Sequence, residues 1–417
     1  MNAWRFWLKK LTRRIWFRSV VYSICGVLLT LVARFLAPLL PDGFESNVGQ
    51  DAVGSILQIL AASMLAVTTF SLTTMVGAYS GASQATPRST QLLMADSTSQ
   101  EALSTFLGAF LFSIVGIIAL STGYYGERGR LILFVGTLAV VLLIAITLLR
   151  WISHITGFGR TSDTINRVEN ATLAAIGEFR RSPHLGARPA TAIPPGAHAI
   201  YTAAPGYVTQ INVKALQARA RQHEVNVHVV ALPGTLVHPH RPLLWVTGDA
   251  PDDADQAAWA SAFELNPRRM FDHDPRLGLI ALSEIACRAL PPTSNDYGTA
   301  IDAINALQRV FFSILAPAED AEQAAGIDRN DEGRVFMPQP SLDDMVEDAF
   351  RAVARDGATA IEVMTRLCKA LEGLAGASPE KAEPFRAMAR QAVARASLVM
   401  PYEPDQRALR ALVEPWA

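Results

Sequence analysis

The sequence predicts an α-helical polytopic membrane domain of four spans, followed by a cytosolic α+β region made of a small β unit and a helical bundle. Three observations predict it. Half of the 417 residues are hydrophobic and only 18% are charged, too apolar for an ordinary soluble chain. The apolar runs sit almost entirely before Arg150. Beyond that point short alternating runs are followed by capped helical periods. These shifts divide the chain into a membrane domain (1–160), a juxtamembrane helix and linker (161–197), a β unit (198–250) and a helical domain (251–417).

Val20–Leu40, Ala52–Ala78, Ala102–Gly123 and Leu131–Leu149 each approach the roughly 20 residues that a bilayer core requires. Lys9, Lys10, Arg13, Arg14 and Arg18 precede the first run. That run is too long for a signal peptide and is followed by no small-residue cleavage site, so an uncleaved signal anchor is expected. The same basic residues keep the amino terminus cytosolic, place Asp42 and Glu45 outside and Arg88 inside, and return the carboxyl terminus to the cytosol. Arg128 and Arg130, in the turn before the fourth span, weaken that bias locally. Trp4, Trp7, Trp16, Phe17 and Trp151 suit the headgroup region. Arg34, the one formal charge well inside a span, lies near enough to Pro41 to snorkel outward.

The second span differs from the others in carrying Ser63, Thr68, Thr69, Ser71, Thr73 and Thr74, and it ends in the small pair Gly77 and Gly81. Ser63, Ala66, Thr69 or Phe70, Thr73 and Gly77 recur every three to four positions, which makes one face small or polar, with Ser63, Thr69, Thr73 and Gly77 its candidate lining or packing residues. Two uses fit such a face: a close helix–helix contact with hydroxyls bonded to the preceding turn, or the lining of a watery path in a homo-oligomer.

In the cytosolic half, Gly157 and Gly159 break the fourth helix, and Ser162 or Asp163 caps a helix running to about Arg181. A Pro- and Gly-rich linker, Ser182–Ala197, leads to strands over His198–Ala203, Gly206–Val213, Val225–Leu232 and Leu243–Val246, with a helix over Lys214–His223. The phrases Pro205-Gly206-Tyr207-Val208 and Pro233-Gly234-Thr235-Leu236-Val237 resemble turns of barrel-sandwich hybrid domains. No lysine sits at a tight turn between the strands, so no carrier role is implied. Helices are expected over Asp274–Leu290 and Tyr297–Leu315, after a capping box at Ser341, and after Ser378-Pro379, with Gly357 ending one of them.

Candidate chemistry is sparse. Net charge is −1 with no basic stripe, which argues against a nucleic-acid partner. Cys25, Cys287 and Cys368 are far apart and suggest neither disulfides nor a zinc site. Asp328–Gly333 opens like a calcium loop but ends on Gln339 instead of a bidentate glutamate, so a hairpin turn is the better reading. His238 with His240, and Asp272-His273-Asp274, are polar clusters without a spaced third ligand, so no metal and no cofactor are expected. Asn295 and Asp296 cap the helix from Tyr297 or, alternatively, leave its amides to an anion. No catalytic phrase of the nucleophile-elbow, phosphate-loop or metalloprotease kind occurs in this half, so no enzyme activity is expected.

Several of these phrases together resemble a bacterial family of membrane proteins, domain of unknown function 2254. They are the hydroxyl-rich second span, Ser83-Gln84-Ala85-Thr86-Pro87-Arg88, Gly206-Tyr207-Val208, and the stretch from Ala289-Leu290 to Asn295-Asp296-Tyr297-Gly298-Thr299-Ala300. The likeness covers nearly the whole chain. Tyr297 stands where the family usually has proline, and His154 after Ser153 stands where it often has paired histidines. The resemblance implies an inner-membrane location and this architecture, but no catalytic residue. The expected partners are the lipid bilayer and further copies of the chain. The leading functional expectation is a homo-oligomeric pore or transport-like protein, and the alternative is a membrane-anchored sensor or scaffold whose tail binds a partner or small ligand.

Overall fold

The computed structural model describes residues 15–36, 50–317 and 333–414. Trp4, Trp7, Lys9, Lys10, Arg13, Arg14, Pro41, Asp42, Glu45 and the stretch 328–332 lie outside the described residues, as do the side chains of Trp16, Phe17, Arg18 and Arg34. The chain divides into two compact units, Met1–Asp163 and Thr164–Ala417.

The first unit is helical: α1 (Ile15–Leu36), α2 (Gln50–Ala85), a short α3 (Thr90–Met94), α4 (Ser97–Ser121) and α5 (Glu127–Ile155). Three of these, α2, α4 and α5, are long and apolar enough to cross a membrane, while α1 carries a shorter apolar stretch, Ser19–Val32. The 36 residues of α2 reach about 54 Å at 1.5 Å per residue, well beyond a bilayer core of roughly 30 Å. It therefore outruns the span read from hydropathy, which sees only its apolar part. Its end is built from hydroxyls. Pro87 has no N–H to continue the ladder, Thr86 Oγ1 accepts from the Arg88 N–H at 3.3 Å, and the buried Ser89 hydroxyl reaches the Ala82 carbonyl at 3.0 Å.

The central helix of this unit is α4, which packs against α1, α2 and α5. Small residues let its neighbours approach. A Cβ on Gly108 would lie 3.1 Å from the Tyr22 carbonyl oxygen, and one on Gly26 would lie 2.9 Å from the Gly108 oxygen. Ser19 meets Ser104 at 3.1 Å, and Thr30 lies beside Gly116, so α1 and α4 run parallel. Tyr125, just before α5, donates its hydroxyl to the Thr30 carbonyl at 2.5 Å. At Gly116 Leu57 of α2 also closes in, 3.0 Å from where a Cβ would stand. The turn after α5 is pinned to α2. Gly159 has φ +81°, and a Cβ there would fall 2.8 Å from Ala78. The Gly157–Gly159 break is thus a packed turn.

The second unit contains most of α6 (Thr161–Arg181), then β1 (Arg188–Pro189), β2 (His198–Ile200), β3 (Gly206–Ile211), α7 (Val213–Gln222), β4 (Val227–Val229), β5 (Leu236–Val237), β6 (Leu244–Val246), α8 (Asp253–Ala260) and β7 (Phe263–Asn266). Next come α9 (Pro275–Ala289), α10 (Tyr297–Leu315), β8 (Val335–Met337), α11 (Leu342–Asp356), α12 (Ile361–Ala377), α13 (Glu383–Val399) and α14 (Glu403–Val413). The strands form a five-stranded sheet, ordered β1-β8-β4-β6-β2, and a three-stranded sheet, β5-β3-β7. The pairs β1–β8 and β4–β8 are parallel, and the remaining pairs are antiparallel. Ile200, Val227, Val229, Leu244, Val246, Val335 and Met337 share one core with Leu216 and Ala220 of α7.

In the order β1-β8-β4-β6-β2 the inner strand β8 comes from the stretch read as helical, and so does β7, an edge strand of the smaller sheet. Both strands are too short to show a period-two pattern, and their partners are remote in sequence. What fixes β8 is side-chain chemistry: Gln217 Oε1 accepts from the N–H groups of Arg334 and Val335, each at 3.2 Å. The later helices pack on one another around Phe311, Phe350 and Phe385, whose rings stack or meet edge to face. A bidentate ion pair from Arg309 to the buried Glu169 ties α6 to α10.

Gly108→Leu is expected to lower the thermal stability of the detergent-purified chain by about 1–3 kcal/mol, the usual cost of overpacking. Gly77→Leu, at a position where an added Cβ meets nothing within 4 Å, should leave it unchanged. Equal losses from the two substitutions would refute the α1–α4 crossing.

Candidate functional site

In the second unit, loops from the two sheets converge with the carboxyl-terminal part of α6 and the amino end of α9 around a cavity of about 420 Å³. That volume lies within the range of small-molecule sites. Its apolar lining comes from Phe179, Leu185, Val230, Leu232 and Met337. The polar groups are Glu178, Arg241, Arg269, His273, Asp274, Arg276 and Asp344, together with Tyr207, Thr235, Gln339 and Ser341.

Asp274 organises this cleft. It is buried, it caps α9 by accepting from the Leu277 N–H at 3.2 Å, and Pro275 follows at the first helical position. Arg269 grips both its oxygens, Nε at 2.6 Å and Nη2 at 2.9 Å. Gly234, at φ +89°, carries no side chain where a Cβ would fall inside the Asp274 carboxylate. Its N–H donates to the Val208 carbonyl at 2.8 Å, so the loop from β4 to β5 is held against both β3 and α9. Gly278 plays a comparable part lower on α9, where any Cβ would overlap Thr172 of α6.

The remaining charges are mostly paired. Arg276 binds Asp348 at 2.6 Å and Asp344 at 2.9 Å, and His273 Nδ1 faces Glu178 at 3.3 Å. Arg241 is different. Its N–H closes a turn on the His238 carbonyl, one guanidinium nitrogen donates to the Leu236 carbonyl at 3.1 Å, and among the described residues it has no carboxylate partner.

The residues singled out from sequence separate into three places. Asp272 precedes the cleft segment on the exposed side, and Asp274 forms the cleft floor. Asn295 and Asp296 are not among the cleft's lining residues; they make the exposed turn between α9 and α10. Asn295 has φ +46°, the Asp296 N–H donates to the Ala289 carbonyl at 2.9 Å, and the Asp296 carboxylate accepts from the Thr299 N–H at 3.0 Å and its hydroxyl at 2.6 Å. These bonds hold the Asp296 carboxyl below the ordinary aspartate range. They also occupy an amide that an incoming anion would need.

The third place is α2. The Ser63, Thr69 and Thr73 hydroxyls donate to the carbonyls of Leu60, Leu65 and Thr69 at 3.0–3.1 Å, within their own helix. Thr69, Thr73 and Gly77 are exposed, and so are Leu65, Phe70, Leu72 and Val76 around them. His238 Nδ1 accepts from the His240 N–H at 3.2 Å, and among the described residues no group of three or more metal-ligating side chains is gathered. Sequence reading missed Arg241, Arg269, Arg276 and Glu178. The nearest signal was the capped Asp274-Pro275 start of a helix with basic residues on both sides of it.

The model of the predicted membrane protein family DUF2254 matches residues 12–373. The chain belongs to this family. Two uncharacterized proteins, one of Mycobacterium bovis and one of Mycobacterium tuberculosis, are each 25% identical to it over 364 residues, 84% of this chain and 68% of theirs. No solved structure matches. Every residue lining the cleft falls inside the DUF2254 match, whereas α13 and α14 lie beyond it. Whatever the cleft does is thus carried on the stretch that defines the DUF2254 family.

Asp274→Ala removes a cap and the carboxylate that Arg269 grips with two bonds, so a loss of about 2–4 kcal/mol is expected in thermal unfolding. Asp296→Ala should cost about 1 kcal/mol or less at neutral pH. Because the folded-state pKa of Asp296 is depressed, its contribution is present above the unfolded value near 3.9 and is lost as pH falls through the folded value. The stability gap between wild type and Asp296→Ala should therefore close on acidification. A gap that widens would contradict the cap.

Proposed function

We propose that this chain is a membrane-anchored protein whose soluble unit binds a small ligand in the cleft beneath the loop from β4 to β5. The observation that carries the reading is the cavity itself: about 420 Å³, lined by apolar side chains together with a few oriented charges, the usual make-up of a small-molecule site. Phosphate loops, nucleophile–base pairs and gathered metal ligands have no counterpart among its lining residues, so the cleft is suited to holding a molecule more than to transforming it.

The anchor in this proposal has four spans, with α1 as the first. Its 22 residues reach about 33 Å, and its parallel packing on α4 is what an in–out–in–out course requires of first and third spans. The basic residues ahead of α1 support a cytosolic amino terminus, and an even number of spans then leaves the cleft in the cytosol of a bacterial cell.

The hydroxyl face of α2 supports a pore less well. Thr69 and Thr73 spend their hydrogens on their own helix, and Leu65, Phe70 and Val76 surround them. Such a surface suits lipid or a neighbouring helix better than water.

The test is a thermal-stability screen of the full chain in lipid nanodiscs against small metabolites, run beside Val230→Trp, which fills the cleft from a half-exposed position. At a ligand concentration a hundred times Kd, binding adds about 2.7 kcal/mol, or a shift of several degrees. At least one compound should stabilise wild type and not the variant. A screen in which every hit acts equally on both proteins, or in which there are no hits, would overturn the proposal.

A further inference from the structure

We infer that the cleft takes an organic anion, with an acidic head held by Arg241 and an apolar body against Phe179, Val230, Leu232 and Met337. The inference rests on the ligand-binding reading above and adds the class of ligand.

A charge inventory of the cavity carries it. Arg269 is spent on Asp274 through two bonds, and Arg276 is shared by Asp344 and Asp348. Glu178 faces His273. Arg241 gives one N–H to a backbone carbonyl and, among the described residues, meets no acid. A guanidinium has five N–H donors in a planar fork, so the edge left over has the geometry that a carboxylate or phosphate accepts in bidentate fashion.

Its position is also fixed in advance. Pro239 and Pro242 bracket the turn, and the Arg241 N–H is tied to the His238 carbonyl at 2.9 Å. The Leu236 carbonyl then holds the guanidinium itself at 3.1 Å. An arginine restrained in this way loses less freedom on binding than a free surface arginine does. The lining also supplies Phe179, Leu185, Val230, Leu232, Met337 and five prolines, so an apolar body has hydrocarbon to rest on beside the hydroxyls of Tyr207, Thr235 and Ser341.

The experiment uses three probes with one body and three charges: naphthalene-2-carboxylate, its neutral carboxamide and the corresponding methylamine. Their affinities are measured by isothermal titration on the full chain in nanodiscs of zwitterionic lipid, with empty nanodiscs as reference. The carboxylate is expected to bind roughly ten- to a hundred-fold tighter than the amide, the span of one charge-assisted contact, and the amine most weakly. Arg241→Gln should abolish the preference while leaving the amide's affinity in place.

Equal binding of acid and amide, or a preference that survives Arg241→Gln, overturns the inference. If Val230→Trp removes binding in that case, the cleft reading still stands. Tighter binding of the amine assigns the cleft to cations through Glu178 and overturns it equally. Absence of saturable binding by all three probes also overturns it, and the cleft reading then stands or falls on the metabolite screen.

Discussion

The cleft of the second unit is organised around a buried carboxylate, Asp274. Taking an ionised aspartate out of water costs several kcal/mol. Asp274 recovers that cost from a bidentate arginine, a backbone N–H and the positive end of α9. Gain and cost are of similar size, so its value is positional more than energetic. The carboxylate fits only because Gly234 lacks a side chain, and that contact brings the β4–β5 loop onto a helix about 40 residues further along the chain. With Arg269 clamped in the same contact, the cleft walls are set before any ligand arrives.

In the membrane unit the constraint is different. Lipid supplies no hydrophobic drive between helices, so association depends on close packing and on hydroxyl contacts. The structure meets this through α4, where Gly108 and Gly116 admit the backbone of α1 and the side chain of Leu57. Ser19 and Ser104 then meet in the resulting seam. The hydroxyl-rich α2 is the more conspicuous helix in the sequence, yet much of its surface is exposed among the described residues. Small residues facing a neighbour and small residues facing outward look alike in one dimension. Only the position of the neighbour separates them.

Legibility followed the range of the interactions involved. The ends of α9 and α10, the Ser341 cap and the Gly357 stop were readable, because each is set by residues within one turn. Strands β2, β3, β4 and β6 were found as runs, with their ends overestimated, since side-chain alternation continues past the last paired residue. β1, β5, β7 and β8 are not legible as strands, because what makes them strands is a partner elsewhere: Met337 and Phe336 for β1, Gly206 and Tyr207 for β5, Val208 and Ile211 for β7. The barrel-sandwich likeness of the Pro-Gly phrases was local in the same sense. The turns are present, while the sheets around them are one mixed and one antiparallel. Of the candidate site, Asp274 was visible through its helix start, and Arg241 was not, since an arginine between two prolines carries no motif.

The prolines near that arginine explain why so ordinary a sequence builds a defined cavity. Pro183, Pro233, Pro275, Pro338 and Pro340 all line the cleft. Each has its φ fixed and has no N–H to offer. A rim made of such residues is stiff without regular secondary structure, so a ligand bound there orders little further chain and retains more of its contact energy as affinity. It is also poor in donors, which leaves recognition to the few polar groups that protrude. Among those, Asp274 and Asp344 are held by Arg269 and Arg276, Glu178 faces His273, and the arginine held apart from them, Arg241, decides which charge the cleft prefers.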